Sequence, residues 1–340
     1  MTKTIESLVR TNILALKPYI SFRDSIECDD YIFLDANENP FGIYNRYPDS
    51  TQKKLKEKLA KINSISTNQL SLGNGSDELI DLIIKIFCSP QKDAIAVLNP
   101  SFAMYEFYAA VNENPVIKLN LDANFDLQKE EFQSKLQNQN AKVLFLCTPN
   151  NPTGTSISNV RYYIENFHGI VVVDEAYIEF SDKESALNWI SDFPNLIVLK
   201  TLSKAYGMAG LRIGMAVASP FITQLIQNVK SPYNMSNANL QMAIELLENE
   251  AEIQANIQKI KLEKVKLKAE LEKLSCVTKI YPSDANFFLV EFSNCENLYS
   301  KLVESKILTS KRFPSIPNAL RINVGSEEEN NQLIKILSQL

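Results

Sequence analysis

Within T-L-S-K-A-Y-G-M-A-G-L-R-I-G, residues 201–214, the chain gathers Thr201, Ser203, Lys204 and Arg212 among three glycines. A lysine beside hydroxyl residues can form an imine with an aldehyde cofactor, because its deprotonated amine is a nucleophile. The hydroxyls, and the arginine eight residues beyond the lysine, supply hydrogen bonds and charge suited to a phosphate. The β-branched pair before them, Ile197 and Val198, reads as a buried strand ending near Thr201, which would deliver the lysine just past a strand end. A surface lysine in a glycine-rich loop has the same local composition, so the other candidate residues decide.

Several stretches carry matching chemistry. Gly73, Gly75, Ser76 and Asp77 precede an amphipathic pattern (Leu79, Ile80, Ile83, Ile84, Phe87) at helical spacing. The amides of a first helical turn form an anion site, although helix capping by Ser76 and Asp77 accounts for the same residues. The strand K-V-L-F-L-C delivers Asn151 in an N-P-T-G turn, where its amide is a donor for a phenolate oxygen. Asp174 ends the apolar run Ile170–Val173, and a carboxylate at the mouth of a parallel strand is common at α/β sites. Phe102, after the strand A-I-A-V-L, is a ring for stacking or for core packing. Arg321, in A-L-R-I-N-V-G, is an anion ligand or a strand-edge arginine.

Strand ends must lie side by side to bring these groups together, and the rest of the pattern supplies them. The start, I-E-S-L-V-R-T-N-I-L-A-L, predicts a helix broken by Pro18, then a short strand from Ile32 into an Asn/Pro/Gly loop. Strands and helices alternate through the middle of the chain. Residues 249–275 predict a long, charged, solvated linker helix with an irregular heptad. The tail reads strand, loop, strand, helix, strand, helix. An α/β chain is expected, divided into residues 1–45 (an arm and small-domain segment), 46–235 (a large domain) and 236–340 (a small α+β domain).

Composition excludes several classes. The 340 residues are 45% hydrophobic and 22% charged, enough for a large core. A net charge of −5, with both signs interspersed, leaves no basic footprint for nucleic acid. No apolar run approaches the roughly 18 residues of a membrane span, and M-T-K-T-I-E-S-L-V-R has no secretory apolar core. Five cysteines, none in a C-x-x-C pair, imply reduced thiols and a cytoplasmic setting. With His168 the single histidine, serine–histidine triads and histidine metal clusters are not expected, and no metal is predicted. Glycine is sparing: of nine, only Gly169 lies outside a candidate motif.

The S-K-A-Y-G-M-A-G-L-R-I-G stretch resembles the lysine region of the fold type I pyridoxal-phosphate enzymes, the aspartate aminotransferase superfamily. D-A-N-E-N-P-F-G (Asp35 to Gly42), R-Y-P-D (Arg46 to Asp49) and L-R-I-N-V-G narrow the resemblance to the histidinol-phosphate aminotransferase family. It runs from about Tyr19 to Gly325, in order. It implies a large, doubly wound, mostly parallel sheet domain, a smaller α+β C-terminal domain, and pyridoxal 5′-phosphate as cofactor. Lys204 then matches the lysine that holds the cofactor and shuttles its proton. Asp174 matches the partner of the ring nitrogen, and Asn151 and Tyr177 the partners of the phenolic oxygen. Phe102 stacks on the ring, without the hydroxyl of the tyrosine often found there. Gly75, Ser76, Asp77, Thr201, Ser203 and Arg212 surround the phosphate. Tyr47 reaches the cofactor of a neighbouring subunit, so a homodimer is implied. Tyr19, Asn37 and Arg321 are implied at the substrate.

One departure stands out. The family carries a second arginine before the L-R-I strand, where this chain reads K-I-L-T-S-K-R-F, with Thr309 near that place and Lys311 and Arg312 just beyond. The expected reaction exchanges histidinol phosphate and 2-oxoglutarate with imidazole-acetol phosphate and glutamate, a step of histidine biosynthesis. Threonine-phosphate decarboxylase and aromatic aminotransferase chemistry are the same-fold alternatives. A cofactor-sensing regulator would need an added basic DNA-binding domain, for which the chain has neither length nor charge.

Overall fold

A computed structural model describes residues 4–25 and 31–339. Seven strands form the large sheet: β1 (Leu70–Asn74), β2 (Ala94–Asn99), β3 (Val116–Asn120), β4 (Ala141–Cys147), β5 (Ile170–Asp174), β6 (Leu196–Thr201) and β7 (Ile213–Ala218). Their spatial order is β1-β7-β6-β5-β4-β2-β3. β7 runs antiparallel to both neighbours, and the other pairs are parallel. β4 to β7 are apolar almost residue by residue because helices cover both faces.

Alternation along each strand sorts side chains into two cores. On β5, Val171 and Val173 face one core, while Ile170 and Val172 face the other with the helix Gly75–Phe87. Period two therefore sends Asp174 to the face of Ile170 and Val172, beneath that helix and the helix Met104–Val111. The mostly parallel, two-sided sheet is the fold type I arrangement, with its candidate residues at the carboxyl ends of β4, β5 and β6.

A second, antiparallel sheet holds β8 (Val277–Ile280), β9 (Phe287–Phe292), β10 (Ser310–Lys311) and β11 (Ala319–Asn323), in the order β10-β11-β9-β8. The helices Cys295–Glu304 and Glu327–Leu337 close its core. The long helix spans Glu250–Leu271 and is less solvated than its charge suggests. Ile253 and Ile257 pack into the large-sheet core, Leu267 and Leu271 into the small-sheet core, and Ile260 touches both. Its stripe looks irregular because two partners use it in turn.

Two local expectations fail. The N-terminal helix is instead two single turns, Ile5–Leu8 and Thr11–Leu14. Tertiary contacts break it: Leu8 and Val9 are buried in the large core, and Arg10 binds the last carbonyls of the helix Gly75–Phe87. The arginine donates from Nη1 to Lys85 at 2.8 Å and from its backbone to Ile86 at 3.1 Å. The stretch from Ile32 forms no strand, and Ile32 and Leu34 stand almost fully exposed, paired to neither sheet. Among the described residues no helix is long and apolar enough to cross a membrane.

Arg10 thus satisfies orphan carbonyls and places a cation at a helix C-terminus. Arg10→Ala is expected to cost about 1 kcal/mol of stability, read as a lower urea midpoint at unchanged slope.

Candidate active site

The site is built where β1 turns directly into the helix Gly75–Phe87. Gly75 has φ +76°, and a Cβ there would lie 2.5 Å from Nη2 of Arg212. Its amide donates to the Arg212 carbonyl at 2.8 Å. Gly73 pairs with Gly214 across β1 and β7, and a Cβ on Gly214 would sit 2.3 Å from the Ser76 nitrogen. The positive φ at Gly75 and the backbone contact at Gly214 both call for glycine. The helix has no side-chain cap, so the first-turn amides of Ser76 and Asp77 line the hollow. Arg212 enters it while pairing with Asp77 at 3.0 Å. Across from them, the Ser203 hydroxyl is buried without a partner, an orphan group suited to an anion. Thr201 plays a different part: its hydroxyl accepts from the Ser203 amide at 3.1 Å and donates to the Ile213 carbonyl at 3.2 Å, fixing the turn.

Asp174 forms the floor. Its Oδ2 accepts from the Tyr105 hydroxyl at 2.6 Å and its Oδ1 from the Ala176 amide at 3.1 Å. Burial pushes this carboxyl above its ordinary range, while the two donors pull it back. Phe102, part-buried, meets Tyr105 edge-on at 5.5 Å between centroids.

Lys204 stands above this floor, its Nζ 5.6 Å from the centre of the Tyr177 ring. The side chain is open to solvent over much of its length, but desolvation of the ammonium, followed by repulsion from Arg321, holds it below the ordinary lysine range. The nearby Lys200 has another fate. It points to the opposite face of β6, buried and paired with Glu179 at 2.8 Å. Tyr177 is buried, its ring edge-on to Phe287, and burial raises its phenol far above the usual value.

The small sheet supplies the opposite wall. Arg321 on β11 donates to Oδ1 of Asn151 and lies over Phe287. Ser310 pairs with Arg321 across β10 and β11, and Lys311 with Leu320. Side chains two apart share a face, so Arg312 joins Ser310 and Arg321, and Lys311 faces away. Lys311 caps the Phe313 ring at 4.2 Å. Arg312 donates to the Ser310 hydroxyl and is pushed below its usual range by burial and by the Arg321 charge. Two guanidiniums thus crowd one spot, and the Nε of each is buried without a partner.

Three candidates lie elsewhere in the chain. Tyr47 stacks on Tyr233 at 4.5 Å, and Tyr19 meets the same ring edge-on at 6.3 Å. Asn37, at φ 55°, sits in an exposed loop stapled by charge. There Arg23 grips Asp35 at 2.6 Å and Glu38 at 2.8 Å, and Arg46 binds Glu38 at 2.7 Å. These arginines, Arg23 foremost, lower the Glu38 carboxyl to about 2. Tyr47 borders a cavity of about 530 Å³ lined by Arg46, Ser236 and their neighbours, with no residue of the Lys204 centre among them.

Comparison with known proteins now adds to this geometry. The family model described as aminotransferase class I and II matches residues 30–337. This chain belongs to that family. Histidinol-phosphate aminotransferase of Parabacteroides distasonis is 43% identical over 343 residues, covering 99% of each chain. The crystal structure of histidinol-phosphate aminotransferase from Clostridium acetobutylicum superposes with a TM-score of 0.78 at 24% identity, over 89% of this chain and 97% of that one. That of the Sinorhizobium meliloti enzyme, in complex with pyridoxal-5′-phosphate, gives 0.77 at 21% identity, over 86% and 82%. The family is dependent on pyridoxal phosphate.

In this aminotransferase, sequence reasoning passed over three groups that the fold makes prominent. Tyr105 lies in the N-P-S-F-A-M-Y stretch, where only Phe102 drew attention. Asn150, fully buried, binds Ser101 at 2.9 Å and Thr153 at 3.0 Å and so fixes the loop that carries Asn151. Lys230 is buried and donates to Gln52 at 2.8 Å and to the Leu72 carbonyl at 3.1 Å, tying the start of the helix Lys53–Ile62 to β1. Lys230 follows the last turn of the helix Pro220–Val229, where a lysine reads as an ordinary cation at a helix C-terminus. Among the described residues no cluster of three or more His, Cys, Asp or Glu side chains could hold a metal ion.

Burial, then repulsion from Lys56, lowers the Lys230 ammonium to about 7. Unfolded lysine keeps its proton to about 10.4, so between the two values the unfolded chain binds more protons. This group's contribution to stability is therefore full above the unfolded value and is lost as pH falls through about 7. Lys230→Met is expected to flatten the rise of stability between pH 7 and 10, measured by denaturation at each pH. An unchanged slope would show that another group causes it.

Proposed function

We propose that the hollow at Gly75, Ser76, Asp77, Ser203 and Arg212 holds the phosphate of pyridoxal 5′-phosphate, and that Lys204 bonds to the cofactor. The unpartnered Ser203 hydroxyl and the tight backbone approach of Gly214 to Ser76, which brings Arg212 to the first helical turn, support the fit. When bound, the cofactor supplies an electron sink next to the substrate's α-carbon. Asp174 holds the proton on the ring nitrogen, Phe102 covers the ring, and Tyr177 and the Asn151 amide donate to the phenolic oxygen. Lys204, its ammonium held below the ordinary lysine range by desolvation, takes the proton from the substrate's α-carbon and returns it to the cofactor's C4′.

The substrate reading is transfer of the amino group of histidinol phosphate to 2-oxoglutarate. The observation that carries it is the paired guanidiniums of Arg312 and Arg321, which repel one another unless an anion lies between them. Each can bind a phosphate or a carboxylate through two donors, so one wall serves a phosphate monoester amine and then a dicarboxylate. The 43% identity to the Parabacteroides distasonis enzyme of that name, over 99% of both chains, supports the same choice. Lys311, on the other face, takes no part.

The large sheet acts as the cofactor domain and the small sheet as the substrate domain. Two copies form the working unit, in a cytoplasmic setting. The exposed arm, with Ile32, Leu34, Phe41 and Ile43 more than four-fifths open, is a surface for a second copy. Tyr47, which stacks on Tyr233 and borders a groove free of the Lys204 centre, completes the partner's phosphate site, and Tyr19 and Asn37 reach substrate from the same arm.

Lys204→Ala is expected to lower transamination by several orders of magnitude and to abolish trapping of the cofactor by borohydride, as for loss of a covalent catalyst. Mixing it with a Tyr47→Phe variant should raise activity above either parent, since one site in each hybrid is intact. Near-normal turnover of the lysine variant would overturn the assignment.

Arg312→Ala is expected to erode the preference for histidinol phosphate over histidinol by roughly ten-fold or more in kcat/KM, the scale of one charged hydrogen bond. Lys311→Ala should leave it unchanged. A chain that prefers a plain aromatic amino acid to histidinol phosphate would overturn the substrate reading.

A further inference from the structure

The floor under Lys204 contains a group to which the reaction above gives no task. Tyr105 is fully buried in the helix Met104–Val111, and its hydroxyl donates to Oδ2 of Asp174 at 2.6 Å. Its ring is stacked on Phe145 at 4.6 Å between centroids and 16° between planes, with Phe102 against its edge. With one face held by Phe145 and Phe102 set edge-on to it, the ring aims its hydroxyl at Asp174. Phenylalanine would fill the same space without having to bury an oxygen, so packing does not account for the tyrosine.

We propose that Tyr105 is a positioning residue, holding the Asp174 carboxylate in one orientation and in its ionised form, and acting through it on the cation that Asp174 binds. The inference rests on the reading that this cation is the ring nitrogen of pyridoxal phosphate. A buried carboxylate with no donors takes up a proton and loses its hold on a cation. If the tyrosine hydroxyl were removed, the largest opposition to burial would go, leaving the Ala176 amide and the more distant charge of Lys204. The titratable groups that face Asp174 are Tyr105 above it, Cys147 opposite on β4, Tyr177 after β5, Asp77 on the helix Gly75–Phe87, and Lys204. Burial puts the Cys147 thiol and the Tyr177 phenol far above their ordinary values, and both stay neutral at neutral pH. Lys204 is the one cation among the five.

The test compares wild type, Tyr105→Phe, Asp174→Asn and the double variant. In the cofactor-free chain, the ¹³C carboxyl resonance of Asp174 should titrate about one pH unit higher in Tyr105→Phe than in wild type. With ¹⁵N-labelled pyridoxal phosphate bound, the ring nitrogen should lose its proton at lower pH in that variant. The cofactor should dissociate about ten-fold more readily, about 1.4 kcal/mol. In the Asp174→Asn background, Tyr105→Phe should change cofactor affinity little, because the group it acts through is gone. Equal weakening in both backgrounds would make Tyr105 a packing residue and overturn the proposal, as would an unmoved ¹³C midpoint. If wild type fails to bind pyridoxal phosphate, the cofactor reading falls, and the ¹³C titration still decides whether Tyr105 governs Asp174.

Discussion

The contact on which the rest depends is the approach of β7 to the start of the helix Gly75–Phe87, so close that a methyl group on Gly214 would overlap the Ser76 nitrogen. It puts the Arg212 carbonyl on the Gly75 amide and the Arg212 side chain at the first helical turn. β7 must reverse direction to do this, which is why one antiparallel strand lies within a parallel sheet. The same reversal holds the loop after β6, through the Thr201 hydroxyl on the Ile213 carbonyl, and so places Ser203 and Lys204. A backbone contact a few atoms wide thus fixes the anion hollow and the lysine together.

Charge is arranged around that contact by layer. The negative group, Asp174, lies deep among apolar strands, where burial would neutralise it without donors. The positive groups, Arg312 and Arg321, belong to the second sheet and converge from the other side. Lys204 sits between the layers, where desolvation first and repulsion from Arg321 second loosen its proton while Asp174 pulls the other way. That balance suits an amine to take a proton and to give it back.

Much of this was legible in the sequence. Apolar runs broken by Asp174 and by Thr201 marked strand ends, because a strand buried on both faces tolerates polar groups only where it stops. The glycines at 73, 75 and 214 signalled close approach, and scarcity of glycine elsewhere sharpened the signal. The second substrate cation could not be read from order alone: Lys311 and Arg312 are adjacent, and only the register with β11 shows which shares a face with Arg321. Tyr105 escaped because its partner is 69 residues away and joined to it by packing. The opening helix was misjudged for a related reason: its periodicity was real, but Arg10 found carbonyls on another helix. Local pattern names an element, and contacts distant in sequence decide whether it survives.

The helix Glu250–Leu271 has a mechanical consequence. It is one continuous rod rooted in the large core by Ile257 and gripped by the small sheet at Leu271. At 1.5 Å per residue that overhang is about 20 Å, so a tilt of about 5° at the root carries the far end about 2 Å. The rod has company at the site itself: Arg321 on β11 donates to Asn151, and the Asp284 amide donates to the Gly154 carbonyl at 2.7 Å, so the two sheets are braced beside Lys204 as well as along the helix.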